Sequence, residues 1–127
     1  MGAVAKRNLA NALIAGSLLV VMAYLGVPEM LGAHPAWSVK IAYIGVGFGI
    51  VLYSIAWIWE TGWLAKFLGF LLLLAVFSGV TWFGKMRFVE SIAEDALSGR
   101  LWYFGWIAVA GAVFALLMHL LKVRSLD

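Results

Sequence analysis

At 127 residues, 65% hydrophobic and only 12% charged, with a mean hydropathy of +1.04, the chain is one domain's length of sequence that cannot cover a globule with a water-facing surface. Soluble domains run at about 45–50% apolar and about 25% charged, so this composition belongs in a bilayer. The absence of cysteine excludes disulfides, thiol catalysis and cysteine-ligated metals, and the net charge of +3, scattered over segment ends without a basic cluster, excludes a nucleic-acid footprint.

A hydrocarbon core about 30 Å thick takes roughly 20 helical residues, and the hydropathy pattern predicts four such spans. The first covers residues 8–27, after Lys6 and Arg7 and up to Pro28. Its apolar run is longer than the about 7–15 residues of a signal-peptide core and no clean cleavage site follows, so it reads as a retained helix. Pro28, Glu29, Gly32, His34 and Pro35 then form a loop, because proline and glycine punctuate helices. The second span covers 39–59 and stops at Glu60, Thr61 and Gly62; the third covers 63–83, with Lys66 one turn inside its start.

After Gly84 the chain turns polar, with Lys85, Arg87, Glu90, Glu94, Asp95 and Arg100 close together. Val89, Ile92, Ala93 and Ala96 recur at helical spacing among these charges, which predicts a short amphipathic surface helix over 86–98 ended by Gly99. Such a helix would cover the end of the bundle or offer an acidic docking surface. The fourth span covers 101–121 and is closed by Lys122 and Arg124.

Four spans with short connections predict an all-α, up-down-up-down membrane bundle with both termini on one side. Lys6, Arg7, Lys66, Lys122 and Arg124 fall on the terminal side, and Lys40, Lys85, Arg87 and Arg100 on the other, which favours cytoplasmic termini by one charge. Trp37, Trp57, Trp59, Trp63, Trp82, Trp102 and Trp106 all lie near predicted helix ends, as expected of an interfacial aromatic belt. Stacking of these rings on a pigment, quinone or haem is the competing explanation.

Membrane helices approach one another through small residues. In the fourth span Gly105, Ala108, Ala112, Ala115 and His119 make one stripe with Gly111 alongside, while Val109, Val113, Leu116 and Leu120 suit lipid. Gly45 and Gly49 form the equivalent pair in the second span, and Ala12, Gly16 and Ala23, with Asn8 at the charged end, in the first. The third span, rich in Leu and Phe, is expected to be the most lipid-exposed.

Ionisable groups at membrane depth are the natural candidates for chemistry. His119 is the only histidine inside a span, and Glu60, Asn8, Asn11 and Lys66 belong to the same membrane face. These five form a candidate polar cluster in which Glu60 is the expected partner of His119, as a plug that fixes helix register or as a proton, ion or ligand site. The other histidine, His34, lies at the opposite face, so one chain cannot hold a haem between the two. Mid-membrane polarity is limited to Ser17, Tyr43, Tyr53, Ser54 and Ser78, which argues against a pump or carrier of charged substrates.

Gly45-Val46-Gly47-Phe48-Gly49-Ile50 lacks the last glycine of a dinucleotide loop and lies inside a span, and no other catalytic signature occurs. The expectation is therefore a non-enzymatic multi-pass membrane protein. Its expected role is an accessory subunit that scaffolds a larger, energy-converting membrane complex and shapes lipid or cofactor pockets. The alternative is a homo-oligomeric channel or transporter with a polar site at the Glu60/His119 end. The expected partners are membrane lipids and other integral membrane subunits, or copies of the same chain. The sequence assigns no cofactor.

Overall fold

The computed structural model describes residues 2–126, and the side chains of residues 2–122; Met1, Asp127 and the Arg124 side chain lie outside that description. Five helices follow in order: α1 (Ala3–Tyr24), α2 (Val27–Met30), α3 (Ser38–Ile58), α4 (Trp63–Glu90) and α5 (Ala96–Leu126), with no strand among the described residues. Four segments are long and apolar enough to cross a membrane: Ala3–Tyr24, Ser38–Ile58, Trp63–Glu90 and Ala96–Lys122. The protein is an all-helical, multi-pass membrane protein.

Local chemistry sets the breaks. Gly26 adopts a left-handed conformation at φ 83°, and Pro28 starts the single turn α2 inside the region expected to be a loop. Gly32, at φ 113°, ends it. Glu29 then accepts a hydrogen bond from Ser38 Oγ at 2.9 Å, tying α2 to the first residue of α3.

Beyond the third span the structure departs from expectation. No separate surface helix occupies 86–98; residues 86–90 are the last turn of α4, and 96–98 the first turn of α5. Lys85 and Arg87 do not stop α4, because long cationic side chains reach the interface from a continuing helix. At 28 residues α4 is about 42 Å long at 1.5 Å per residue, which exceeds the core thickness. Ala93 N–H returns to the Phe88 carbonyl at 3.0 Å, with Ile92 and Ala93 left-handed at φ 56° and 64°. Asp95 then caps α5, accepting hydrogen bonds from Ser98 N–H at 3.1 Å and Ser98 Oγ at 2.8 Å. These bonds hold the Asp95 carboxyl below its ordinary pKa, the backbone donor contributing most.

α5 is the hub: 56% of its most apolar 18-residue stretch is buried, against 22%, 28% and 11% for the corresponding stretches of α1, α3 and α4. It packs against all three. Ala112, Phe114 and Ala115 are completely buried within it, and Ala108 is half-buried. A β-carbon on Gly45 would strike Ala110, one on Gly49 would lie 2.7 Å from the Gly111 carbonyl oxygen, and one on Gly105 would strike Thr81. Gly84 lies against the start of α5 in the same way, 2.7 Å separating its would-be β-carbon from Trp102 N.

Two expected faces turn out differently. Val109, Val113 and Leu116 pack against the core clusters instead of facing lipid, since α5 is surrounded on three sides; only Leu120 on that side is exposed. α1 buries Asn11, Ala15, Leu19 and Ala23: of the expected stripe Ala12, Gly16 and Ala23, the last is buried, whereas Ala12 and Gly16 stand one residue round from the buried Asn11 and Ala15. Gly16 meets Val46 and Phe114 at 3.8 and 3.9 Å, ordinary contacts that do not need a glycine. Trp102 and Trp106 are also buried, so the aromatic belt excludes them.

Candidate functional site

The start of α4 and the end of α5 meet around a pocket of about 300 Å³ lined by Tyr53, Trp63, Lys66, Phe70, His119 and Lys122, among others. Within α4 the spacing Trp63, Lys66, Phe70 puts these three on one face, and His119 and Lys122 are one turn apart on α5.

His119 is buried and its Nε2 lies 2.9 Å from the Trp63 carbonyl oxygen. A carbonyl only accepts, so Nε2 carries the proton. The imidazole is stacked on the Trp63 ring at 4.8 Å between centroids, and Phe70 meets it edge-on at 5.7 Å. Glu60 is not its partner. That carboxylate is exposed beyond the C-terminus of α3, so it stays in water, and the imidazole is served by a backbone carbonyl.

Lys66 turns back onto the α3–α4 connection, donating to the Thr61 carbonyl at 2.6 Å, the Trp59 carbonyl at 3.1 Å and Thr61 Oγ1 at 3.2 Å. An ammonium has three protons, and all three are occupied. It neutralises carbonyls released at the C-terminus of α3, where a cation is favoured by the helix dipole. Lys122 places its ammonium 2.9 Å from the centroid of the Trp57 ring, a cation–π contact that ties α5 to α3.

Of the five residues expected to converge, the structure therefore brings together Lys66 and His119. Asn11 is buried and Asn8 half-buried on α1, where Asn8 lines a separate groove with Tyr53 and Trp57. Thr61, Trp63, Trp57 and Lys122 were missed as members. Sequence spacing could have flagged Trp63 and Lys122 through their one-turn offsets from Lys66 and His119, but the carbonyl groups that bind His119 and Lys66 leave no sequence signal.

The pocket joins hydrogen bonds and ring contacts that fasten the α3–α4 turn to α5. His119 faces the Trp63 carbonyl and the Trp63 and Phe70 rings. At the other end His34 Nδ1 accepts from Ala36 N–H at 3.0 Å and its ring lies 5.8 Å from Trp102, so the two histidines serve opposite ends of the bundle. Compared with known protein families, with curated protein sequences and with solved structures, the chain has no significant match.

Proposed function

We propose that this protein is a non-catalytic, integral membrane subunit that packs within a larger membrane complex, scaffolding it and shaping lipid-filled space between helices. One observation carries the reading: the chain covers its own α5 while leaving bulky apolar side chains outward on α1 and α4, such as Leu13, Leu18, Leu68 and Leu72. The polar pocket fits this role in that Lys66 Nζ and His119 Nε2 are spent on holding the α3–α4 turn, although the buried Tyr53 hydroxyl that lines it has no hydrogen-bond partner.

An up-down-up-down course with both termini cytoplasmic belongs to the same proposal. Gly84 near Trp102 and Trp63 near His119 support antiparallel α4 and α5; Gly45 against Ala110 and Gly49 against Phe114 support α3 running with α5. The pocket beside His119, Lys66 and Lys122 favours a second reading, a homo-oligomeric channel or transporter with its polar site at that end.

Purification of the tagged chain in mild detergent, followed by native mass spectrometry, separates the two. Masses that include unlike membrane subunits support the subunit reading. Masses of two or more copies of this chain alone, 13.9 kDa plus the tag for each copy, overturn it in favour of the oligomer.

A further inference from the structure

α1 and α2 face α4 across a groove of about 580 Å³, whose floor is formed by α3 and α5. Leu74, Ser78, Trp82 and Lys85 line it from α4 at steps of one helical turn, opposite Leu19 and Met22 of α1. The walls are apolar over most of this length and the charge is at one end. From Leu74 to Lys85 the helix rises about 16 Å, which matches one leaflet of a hydrocarbon core about 30 Å thick.

Among the described residues, Lys85 at the charged end has no acidic partner. Its ammonium lies 3.1 Å from where a β-carbon of Gly32 would stand and 5.8 Å from the Trp102 ring centroid. The Gly32 carbonyl already accepts from Trp102 Nε1 at 3.2 Å, and the Glu29 carboxylate is engaged by Ser38. Thr81, whose buried hydroxyl has no hydrogen-bond partner, lines the groove one turn deeper.

We propose that this groove holds one anionic phospholipid, with an acyl chain laid between α1 and α4 and the headgroup phosphate paired with Lys85. The length suits a single leaflet, the walls suit hydrocarbon, and the ammonium sits at headgroup level, where each basic group favours anionic lipid. The site stands whether or not the bundle belongs to a larger complex. A partner's transmembrane helix is the competing occupant and would leave no lipid bound to the purified protein.

The test is native mass spectrometry of the full chain equilibrated with equal amounts of phosphatidylglycerol and phosphatidylcholine. The expected result is one retained phosphatidylglycerol per chain, favoured about fivefold over phosphatidylcholine, the effect of one interfacial cation. Lys85→Gln should abolish the preference, and Ser78→Phe, which fills the groove from an exposed position, should lower retention of both lipids. No retained lipid, equal retention of the two lipids by the unaltered chain, or a preference that survives Lys85→Gln would overturn the proposal.

Discussion

Replacing Gly49 with alanine tests the α3–α5 contact at its closest point. The added β-carbon would stand 2.6 Å from Phe114 Cδ1, 2.7 Å from the Gly111 carbonyl oxygen and 2.8 Å from Phe114 Cβ. Favourable carbon contacts begin at about 3.5 Å, and a backbone oxygen cannot rotate away, so the helices must separate. Overpacking of this kind costs about 1–3 kcal/mol. Alanine also gains about 0.8–1.0 kcal/mol of helix propensity over glycine, which would mask part of the loss. Gly47, on the same helix, has nothing within 4 Å of its would-be β-carbon, so Gly47→Ala keeps the gain without the clash. The propensity contribution cancels between the two variants, leaving Gly49→Ala less stable than Gly47→Ala by about 1–3 kcal/mol. Equilibrium unfolding of both in the same mild detergent measures that difference. Equal stabilities would refute the close approach of α3 to α5.

His119→Ala should destabilise the bundle by about 1–3 kcal/mol, because it removes a part-buried hydrogen bond to the Trp63 carbonyl and the packing of the buried ring; His119→Phe should recover part of the loss. Glu60→Gln should change stability by less than about 0.5 kcal/mol and add independently to His119→Ala in a double-mutant cycle, whereas coupling would restore the carboxylate as a partner. Ile92→Gly should raise stability by about 1 kcal/mol, since a β-branched residue at φ 56° is strained and glycine is not; an unchanged unfolding midpoint would count against that strain. Asp95 has a lowered pKa in the folded protein, so its contribution is present above the unfolded carboxyl value of 3.8 and disappears as pH falls through the lower folded value. Asp95→Asn should therefore be less stable than the unaltered chain at pH 7 and equal to it at the acid end, a convergence that paired unfolding curves would reveal or exclude.

Composition and hydropathy made the four spans legible, and the pairs of glycines at Gly45 and Gly49 marked a face that does meet α5. What hydropathy conveys is depth along a helix, and much less the direction in which each side chain points. Trp102 and Trp106 illustrate this, having interfacial positions in sequence but buried rings. On α1, small residues occur on adjoining faces, so Ala23 is buried as expected, while the buried Asn11 and Ala15 lie one residue from the expected Ala12 and Gly16. The end of α4 was hidden for a different reason. Lys85 and Arg87 look like a stop, yet a helix can carry cations beyond the hydrocarbon, and the true break lies at the left-handed Ile92 and Ala93. The His119 site was half legible: the histidine stood out, while its partner is a peptide carbonyl that any residue type would provide.

Sidedness of the connections tests the membrane architecture most directly. The chain contains no cysteine, so single cysteines at Ala5, Met30, Glu60 and Glu94 can be labelled with a membrane-impermeant maleimide in sealed vesicles. With four crossings, the cysteines at positions 5 and 60 react from one side and those at 30 and 94 only from the other. Labelling of all four from a single side would contradict a four-fold crossing of the bilayer.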